Sequence, residues 1–329
     1  MSADCLLNPA APPRLNQADR PLEPSQPPRS RPIALNALNS LKMNTPHKLG
    51  WLPDVPDARD VPFRTVFRVP RKLPAQVDLR EGCSPVEDQE DLGSCTAQAL
   101  AGALEFLELK ALGGGTLTRY RDLSRLFIYY NERVEMGTVQ EDSGAMLRVG
   151  IKTLARFGAC REELWLHNLD KYARKPPIRC YEEALGHTIT SYQRLASLAE
   201  MKACLAQGMP FVFGFSVYEH VMSRSVERTG VIRMPGPKER LQGGHAVLAV
   251  GYDDGKGTLL FRNSWGDGWG QKGYGELPYD YLTRRDLSDD FWCVQSTAND
   301  LYAARLRQEA DGLRTSPVPR TPVRAISLV

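Results

Sequence analysis

The sequence predicts an α+β fold with two lobes, in which a helical half is followed by a half built from short strands. In the first half, three segments between residues 94 and 158 repeat apolar side chains at helical spacing. In the second half, short apolar runs are separated by glycine-rich turns. Helices and strands that are segregated along the chain are typical of α+β folds. The 329 residues, 42% of them hydrophobic, are enough to build the core of such a fold.

The first predicted helix lies in the sequence SCTAQALAGALEFLELKA and ends at a run of three glycines. Leu100, Leu104 and Leu107 lie at positions i, i+4 and i+7, so they share one face. Ser94 is placed to cap the amino end of this helix with its hydroxyl oxygen. The sequences LSRLFIYYNERVE and GAMLRVGIKTLARFG predict two further helices, and Gly158 is expected to end the second.

The second half contains five segments that are typical of short β-strands. They are PFVFGFSVYEHV, GVIRM, GHAVLAVGYDD, TLLFRNSW and YGELPYDYL. The third and fourth are joined by DDGKG, which predicts a hairpin that turns around Asp254 and Gly255. Antiparallel pairing in this hairpin places His245 opposite, or nearly opposite, Asn263.

Composition divides the chain into four regions, residues 1–45, 46–72, 73–300 and 301–329. The first region is rich in Pro, Asn, Ser and Arg without an apolar period, which predicts disorder. The third is the folded domain, with a helical lobe at about 77–185 and a β lobe at about 186–300. The fourth is a basic, proline-rich tail that is also predicted to be disordered.

Residues 46–72 form an extended segment that differs from the polar region before it. Proline punctuates the segment, but Trp51, Leu52, Val55 and Phe63 give it apolar side chains that are expected to lie on a protein surface. A flexible linker with scattered apolar residues is the alternative interpretation.

Charge and composition exclude several classes of function. A net charge of +3 does not indicate a nucleic acid or an anionic membrane as partner, and no apolar run is long enough to cross a membrane. No C-x-x-C pair indicates a metal site, and no cofactor is expected. The amino terminus lacks the pattern of a secretory signal, so a cytoplasmic location is the default expectation. Translation from Met43 or export by another route remains open.

Cys95 is the candidate nucleophile, because it lies where the first helix begins. A helix amino terminus and a neighbouring imidazolium both lower the pKa of a thiol, and the thiolate is the reactive species. A cysteine within a helix is more often a small buried apolar residue, so this position alone does not establish catalysis.

His245 and Asn263 are the candidate base and the residue that orients it. The hairpin brings them together, and Trp265 and Trp269 follow Asn263 closely enough to shield a His–Asn hydrogen bond from water. The other histidines, His47, His167, His187 and His220, have no such partner pattern and are expected to be surface or capping residues.

Gln89 precedes Cys95 by six residues and supplies a side-chain amide. Attack of a thiolate on a carbonyl group forms an oxyanion, which this amide and a backbone N–H at the helix start are placed to stabilise. A solvent-facing glutamine is the alternative.

Together these residues resemble the papain-like cysteine peptidases, whose local signature C-G-S/A-C-W/Y precedes its His and Asn by roughly 130–150 residues. The matching sequence is LGSCT, and GHAVLAVGY and NSWGDGWG follow in the family's order over residues 73–295. The segment HKLGWLPDVPDARD is most similar to the bacterial, xylellain-like branch. The resemblance implies that Cys95 is the nucleophile, His245 the acid–base, Asn263 its orienting residue and Gln89 part of the oxyanion hole.

Two positions depart from the family pattern. Leu92 stands where the family has a disulfide cysteine, and Thr96 stands where it has an aromatic residue. The first removes the usual covalent restraint on the loop before Cys95, and the second changes the packing behind the nucleophile.

The resemblance also implies where a substrate binds. Gly144 and Ala145 would hydrogen-bond the substrate backbone, while Leu147 and Ala246 would line the pocket for the side chain two residues before the cleaved bond. Because both pocket residues are apolar, an apolar substrate side chain is expected there. Gly244 is also expected among the substrate-binding residues.

The sequence therefore predicts a monomeric cysteine peptidase that hydrolyses peptides or proteins through a thiolate–imidazolium pair and an acyl-enzyme. The extended segment is expected to act as a pro-segment that lies in or beside the cleft, anchored by Trp51. An amide transferase with the same fold, such as a peptide synthase, and a catalytically inactive binding homologue are the alternatives. Acceptor dependence distinguishes a transferase from a hydrolase, and a reactive-cysteine probe identifies an inactive protein.

Overall fold

The protein is described by a computed structural model, which covers residues 47–111 and 120–295. All of these residues belong to one compact unit of the chain. The polar region 1–45, the run of three glycines and the tail 301–329 lie outside the described residues, so the predictions for them are not tested. The division of the chain into regions likewise remains a prediction.

The helices of the described residues include all three that the sequence predicts. Their bounds are α1 Phe63–Val66, α2 Cys95–Ala111, α3 Arg125–Met136, α4 Leu147–Phe157, α5 Ile178–Ala184, α6 Leu198–Ala206, α7 Arg224–Thr229 and α8 Tyr279–Thr283. Single 3-10 turns lie at Arg80–Gly82, Glu162–Leu164, Leu169–Lys171 and Glu219–Met222. The predicted helices are confirmed as α2, α3 and α4, and Gly158 ends α4 with a positive φ of 73°.

Ser94 does not cap α2 in the way that the sequence suggests. Its carbonyl accepts a hydrogen bond from the Gln98 N–H, as an N-cap carbonyl does, but its hydroxyl has no partner among the described residues. The prediction of a side-chain cap is therefore wrong. The amino end of α2 is instead fully buried against the loop that precedes it.

The strands form one antiparallel sheet. Their bounds are β1 Gln76–Asp78, β2 Ser191–Arg194, β3 Phe211–Tyr218, β4 Leu241–Asp253, β5 Thr258–Arg262, β6 Tyr274–Pro278 and β7 Ser288–Gln295. The order across the sheet is β2-β7-β3-β4-β5-β6, and β1 pairs with β4. β7 pairs with β2 and with β3, both of which lie far from it in the sequence. For this reason no hairpin pattern in the sequence marks β2 or β7.

Two of the predicted strands differ from the structure. GVIRM contributes a single parallel bridge from Val231 to Glu276 rather than a strand, because Gly230 before it ends α7 in a left-handed conformation. YGELPYDYL is a strand only as far as Pro278, which precedes α8 and cannot donate a further ladder hydrogen bond.

The two lobes meet at α2. This helix packs against α3 and α4 on one side and against β4 on the other, so nearly all of its residues are buried rather than one face. Because Cys95 is its first residue and His245 lies in β4, the packing of α2 on β4 brings the two candidate residues to the same region.

The extended segment packs on the folded domain along its described length. Trp51 and Phe63 are buried in the two main apolar clusters, as the sequence predicts. Val55 is 63% exposed, contrary to expectation, whereas its neighbour Asp54 is held by hydrogen bonds with Asp290 and Arg148.

Within the described residues, no helix is sufficiently long and apolar to cross a membrane.

Candidate active site

Cys95 begins α2 and is completely buried. Burial raises the pKa of its thiol to about 12, and hydrogen bonds from the backbone N–H groups of Ala246, Gly50 and Thr96 lower it by less. Ala246 belongs to β4, whereas Gly50 belongs to the extended segment. The thiol therefore lies between the two lobes with the extended segment directly over it.

His245 and Asn263 form the pair that the hairpin predicts. The β4–β5 ladder pairs Leu248 with Arg262, so Asn263 follows directly after β5 and lies diagonally across from His245 on the same face. His245 Nε2 lies 2.8 Å from Asn263 Oδ1, and this contact is buried. The other ring nitrogen, Nδ1, has no partner among the described residues and is free to face a thiol or a leaving group.

Trp265 covers the imidazole. Its ring stacks on His245 with centroids 4.6 Å apart, and Trp269 meets Trp265 edge to face at 5.5 Å. Trp269 also contacts Phe261 in the core, so it supports Trp265 rather than the histidine itself. The two indoles separate the His245–Asn263 hydrogen bond from solvent.

Burial lowers the pKa of His245 to about 4, partly offset by the hydrogen bond with Asn263. At neutral pH, Cys95 is consequently a thiol and His245 a neutral imidazole in this arrangement. The position of Cys95 at a helix start predicted a lowered thiol pKa instead. The difference arises because the site is buried, and burial disfavours both charged forms.

Gln89 is completely buried and tightly oriented. Its Oε1 accepts from the Ser264 hydroxyl at 2.7 Å, so its amide group can present only N–H donors to the cleft. These donate to the Leu92 carbonyl at 2.8 Å and to the Lys48 carbonyl at 2.9 Å. The backbone N–H of Ser264 also donates to Asn263 Oδ1, so this serine links the glutamine to the histidine's partner.

The loop before Cys95 is held without a covalent bond. Gly93 N–H lies 3.1 Å from an Asp142 carboxylate oxygen, and Tyr129 donates its hydroxyl to the same oxygen. That hydroxyl in turn accepts from Gly144 N–H at 3.0 Å. These hydrogen bonds join the nucleophile loop to the 142–144 loop of the same lobe, beside Leu92, which stands where the family has a disulfide cysteine.

Thr96 packs behind the nucleophile by hydrogen bonding rather than by an aromatic ring. Its hydroxyl donates to Glu132 Oε2 at 2.9 Å, and both side chains are buried. Burial raises the pKa of Glu132 to about 8, so this carboxyl is largely neutral near neutral pH.

The residues expected to bind a substrate backbone contact the extended segment. Ala145 N–H donates to the Gly50 carbonyl at 2.8 Å, and the Ala145 carbonyl accepts from Leu52 N–H at 2.9 Å. On the opposite wall, the Gly244 carbonyl accepts from Trp51 N–H at 3.0 Å. Gly144 makes no such bond, because its N–H donates to a side chain; it instead allows close approach, since a Cβ there would overlap the Gly50 carbonyl.

The Trp51 side chain lies in the region expected to form the pocket. It shares one apolar cluster with Leu147 and Ala246, and its ring lies where a Cβ on Gly214 would be. The indole Nε1 donates to Asp290 Oδ2 at 3.1 Å. The pocket therefore has apolar walls and a carboxylate, that of Asp290, at one end. Leu147 and Ala246 alone did not predict this carboxylate.

Several residues at the site were not found from the sequence. They are His47, Lys48, Gly50, Asp142, Ser264 and Asp290. His47 stacks on Trp265 with centroids 5.1 Å apart, on an extended segment whose path no periodicity defines. Asp142 and Asp290 come from loop and strand positions far apart in the chain, so only tertiary structure brings them to the cleft.

In residues 47–111 and 120–295, no group of three or more His, Cys, Asp or Glu side chains is arranged to hold a metal ion.

Comparison with known proteins gives one consistent family. A profile described as papain family cysteine protease matches residues 144–285. An uncharacterised peptidase C1-like protein of Acanthamoeba polyphaga mimivirus is 38% identical over 278 residues, which cover 77% of this chain and 88% of that protein. The chain belongs to the papain family of cysteine proteases.

Solved structures agree with this papain-family assignment. Xylellain, a cysteine protease from Xylella fastidiosa, is 40% identical with a TM-score of 0.68, over 75% of this chain and 96% of that one. Digestive procathepsin L 3 of Tenebrio molitor, at 21% identity and a TM-score of 0.56 over 72% and 74% of the two chains, shares the fold. The predicted α+β, papain-like fold is confirmed.

A more distant relative has a known class of activity in its name. Cysteine proteinase 2 of Entamoeba histolytica is 28% identical over 211 residues, which cover 62% of this chain and 63% of that proteinase. The chain is thus a papain-family cysteine protease.

Proposed function

We propose that this protease hydrolyses peptide bonds with Cys95 as nucleophile, His245 as acid–base, Asn263 as orienting residue and Gln89 as an oxyanion donor. The hydrogen bond between His245 Nε2 and Asn263 Oδ1 supports this assignment most directly, because it engages one ring nitrogen and leaves Nδ1 without a partner among the described residues. A histidine held in this way has one nitrogen available for proton transfer.

The reaction would begin when His245 Nδ1 takes the proton from the Cys95 thiol. The thiolate then attacks the substrate carbonyl carbon, and the carbonyl π electrons move to the oxygen. Gln89 Nε2–H and the N–H at the start of α2 donate to that oxyanion. Imidazolium returns the proton to the departing amine as the C–N bond breaks, and water hydrolyses the resulting thioester.

The substrate is a peptide or protein strand in this proposal. Ala145 and Gly244 offer it backbone hydrogen bonds from opposite walls, as they do to residues 50–52. Leu147, Ala246 and Gly214 surround an apolar side chain, and Trp265 keeps water from the imidazole. One chain contributes all of these groups, which fits the expected monomer.

The extended segment is proposed to inhibit the enzyme as a pro-segment. Its Lys48 carbonyl occupies a Gln89 donor, and its Gly50 N–H donates to the Cys95 sulfur. A thiol that faces an N–H has no electrophile to attack, so the segment blocks the site without being a substrate. By burying the thiol and imidazole, it also keeps both of them uncharged.

The assignment is tested by incubating the purified protein with a denatured protein and sequencing the products by mass spectrometry. Cys95→Ala is expected to lower the rate by roughly 10⁴-fold or more, with His245→Ala close behind and Gln89→Ala about 10²-fold. Cys83→Ala, which changes another buried cysteine, is the matched control and retains cleavage. Products joined to an added amine instead of hydrolysed would identify a transferase.

A further inference from the structure

Lys48 of the extended segment makes two contacts that belong together. Its carbonyl oxygen accepts from Gln89 Nε2 at 2.9 Å, and its ammonium group lies 2.7 Å from Asp142 Oδ2. The first contact places the carbonyl on a donor assigned above to the carbonyl under attack. The second contact shows that a carboxylate lies within reach of the side chain of the same residue.

Asp142 is held in place before any ligand arrives. Gly93 N–H and the Tyr129 hydroxyl both donate to its Oδ1, and Tyr129 itself is fixed by Gly144 N–H. Its side chain is only 13% exposed, so a partner's charge is less screened there than on an open surface. A carboxylate oriented in this way loses little conformational entropy when it binds a cation.

The surroundings of Asp142 leave room for a cation from outside. Among the described residues, Lys48 is the cation that forms an ion pair with it. Arg133 lies near enough to interact electrostatically with Asp142, but its guanidinium donates to the carbonyls of Val139, Glu141 and Tyr172. Departure of the extended segment would thus leave the outward oxygen of Asp142 without an ion-pair partner.

We propose that Asp142 is a specificity-determining residue that selects a lysine or arginine at the substrate position whose carbonyl Cys95 attacks. This inference rests on the proposed function, because it takes the Gln89 amide as the donor to that carbonyl. Lys48 shows that a cation beside the Gln89 donor can reach Asp142. It is not itself a substrate in register, because Trp51, in the pocket for the preceding residue, follows Lys48 in the chain, so the segment runs opposite to a substrate strand.

The test compares peptides that are identical except for lysine, arginine or the uncharged norleucine before the cleaved bond. They are assayed with the full-length chain and with its Asp142→Asn variant, which is isosteric and retains an acceptor oxygen for Gly93 and Tyr129. The full-length enzyme is expected to prefer the cationic peptides by roughly fivefold to tenfold in kcat/KM. Asp142→Asn is expected to bring that ratio to within about twofold of one.

The controls separate specificity from structure. Asp170→Asn removes an exposed carboxylate elsewhere and is expected to leave the ratio as in the unsubstituted enzyme. If Asp142→Asn lowers the rates on the cationic and the norleucine peptides equally, the inference is overturned and Asp142 only supports the loop. The absence of any preference in the full-length enzyme would overturn the inference as well. Failure of every peptide and of denatured protein to be cleaved would instead contradict the proposed function.

Discussion

The extended segment has two parts that contact the enzyme in opposite ways. Residues 47–52, the cleft part, pass between the lobes and bind largely through backbone hydrogen bonds. Residues 54–63, the anchor part, bind through charged side chains and one buried aromatic ring. The first part lies on the groups assigned to catalysis, whereas the second lies away from them.

In the cleft part, the backbone of the segment lies very close to the backbone of the enzyme. A Cβ on Gly50 would overlap the carbonyl of Gly93, and a Cβ on Gly244 would meet the Trp51 carbonyl. Glycine at these positions lets two backbones meet, but the contacts are few. Any peptide backbone can make the same hydrogen bonds, so a substrate strand can compete with the cleft part.

The anchor part is specific to this sequence. Arg148 binds Asp60 at 2.5 Å, and Arg194 reaches Asp60 at 3.4 Å from β2. Asp54 accepts from Trp292 Nε1 at 2.9 Å, and Phe63 is fully buried in the core of the β lobe. A substrate cannot replace these contacts.

This difference in contacts suggests that the two parts of the segment have different roles. We propose that the anchor part remains on the enzyme as part of its structure, while the cleft part moves off and returns. Because the two are joined by only a few residues, the cleft part stays at a high effective concentration even when each contact is weak.

The largest expected effect comes from where the chain is cut. A chain that begins at residue 53 should fold and hydrolyse a small peptide faster than full length, because only the cleft part and the residues before it are missing. A chain that begins at residue 73 should lose roughly 5 kcal/mol or more of its free energy of unfolding. The missing Phe63 side chain leaves a cavity in the core, and the buried Arg148 loses its ion-pair partner.

Urea denaturation and the initial rate of peptide hydrolysis distinguish these outcomes. If the chain from residue 73 is as stable as full length, the anchor part is not structural and the comparison fails. Supplying residues 47–72 as a separate peptide would then tell whether any contact with the shorter enzyme remains.

The second effect is on rate and requires no truncation. Gly50→Ala places a methyl group against the Gly93 backbone, so the cleft part can no longer lie over Cys95. The initial rate on a small peptide should rise at least about tenfold, because the open fraction of the enzyme increases. Gly236→Ala, in a position with space for a methyl group, is the control and should leave the rate unchanged. A slower Gly50→Ala enzyme of normal stability would contradict inhibition.

The comparison also explains what the sequence could predict. Cys95, His245 and Asn263 lie on a helix start and a hairpin, whose local geometry follows from periodicity and turn residues. The apolar character of Trp51 and Phe63 predicted that the segment packs on the enzyme. These predictions depend on short-range rules that one stretch of chain is enough to define.

The partners of the segment could not be predicted in this way. Asp290, which binds the Trp51 indole, lies in β7, a strand whose neighbours β2 and β3 come from distant parts of the chain. The raised pKa of Cys95 was also beyond the sequence, because burial in the folded chain outweighs the backbone donors. Long-range packing therefore determines how the site is controlled, while local sequence determines which residues form it.

The third effect is on the chemistry of the thiol. With the cleft part in place, burial holds the pKa of Cys95 near 12 and that of His245 near 4, so at pH 6 both are uncharged. Alkylation of Cys95 by iodoacetamide at pH 6 should thus be several-fold faster in Gly50→Ala than in the unsubstituted chain. Mass spectrometry of the labelled peptides measures this rate beside the other buried cysteines, which should remain unlabelled in both. Equal labelling of Cys95 in the two proteins would show that the cleft part does not control ionisation.

The smallest effect concerns pH and the place where the two parts meet. Asp290 accepts from Trp51 Nε1 of the cleft part and, at 2.8 Å, from Asp54 N–H of the anchor part. Burial, followed by the charges of the Asp54 and Asp289 carboxylates, raises the pKa of Asp290 to about 7, while the Asp54 N–H and Arg194 oppose the rise. Asp54 belongs to the anchor part, so its charge stays when the cleft part leaves. Release removes the burial that Trp51 provides, and the pKa of Asp290 is therefore expected to fall from about 7.

The sign of the effect follows from this raised pKa. Its contribution to docking is complete below the pKa of the released state and is lost as the pH rises through about 7. Asp290→Asn keeps an oxygen acceptor for the indole but cannot ionise, so at pH 7.5 its cleft part should dock more tightly and its initial rate should be about threefold lower.

Each rate is divided by that of the same chain with Gly50→Ala, which cancels the pH dependence of catalysis and leaves that of docking. His47 and His245, whose pKa values burial lowers, weaken docking in acid equally in both chains. Asp289→Asn, which also removes a carboxylate bonded to Arg194, is the control. If it changes the ratio as much as Asp290→Asn does, the effect belongs to Arg194 and not to the carboxyl group between the two parts.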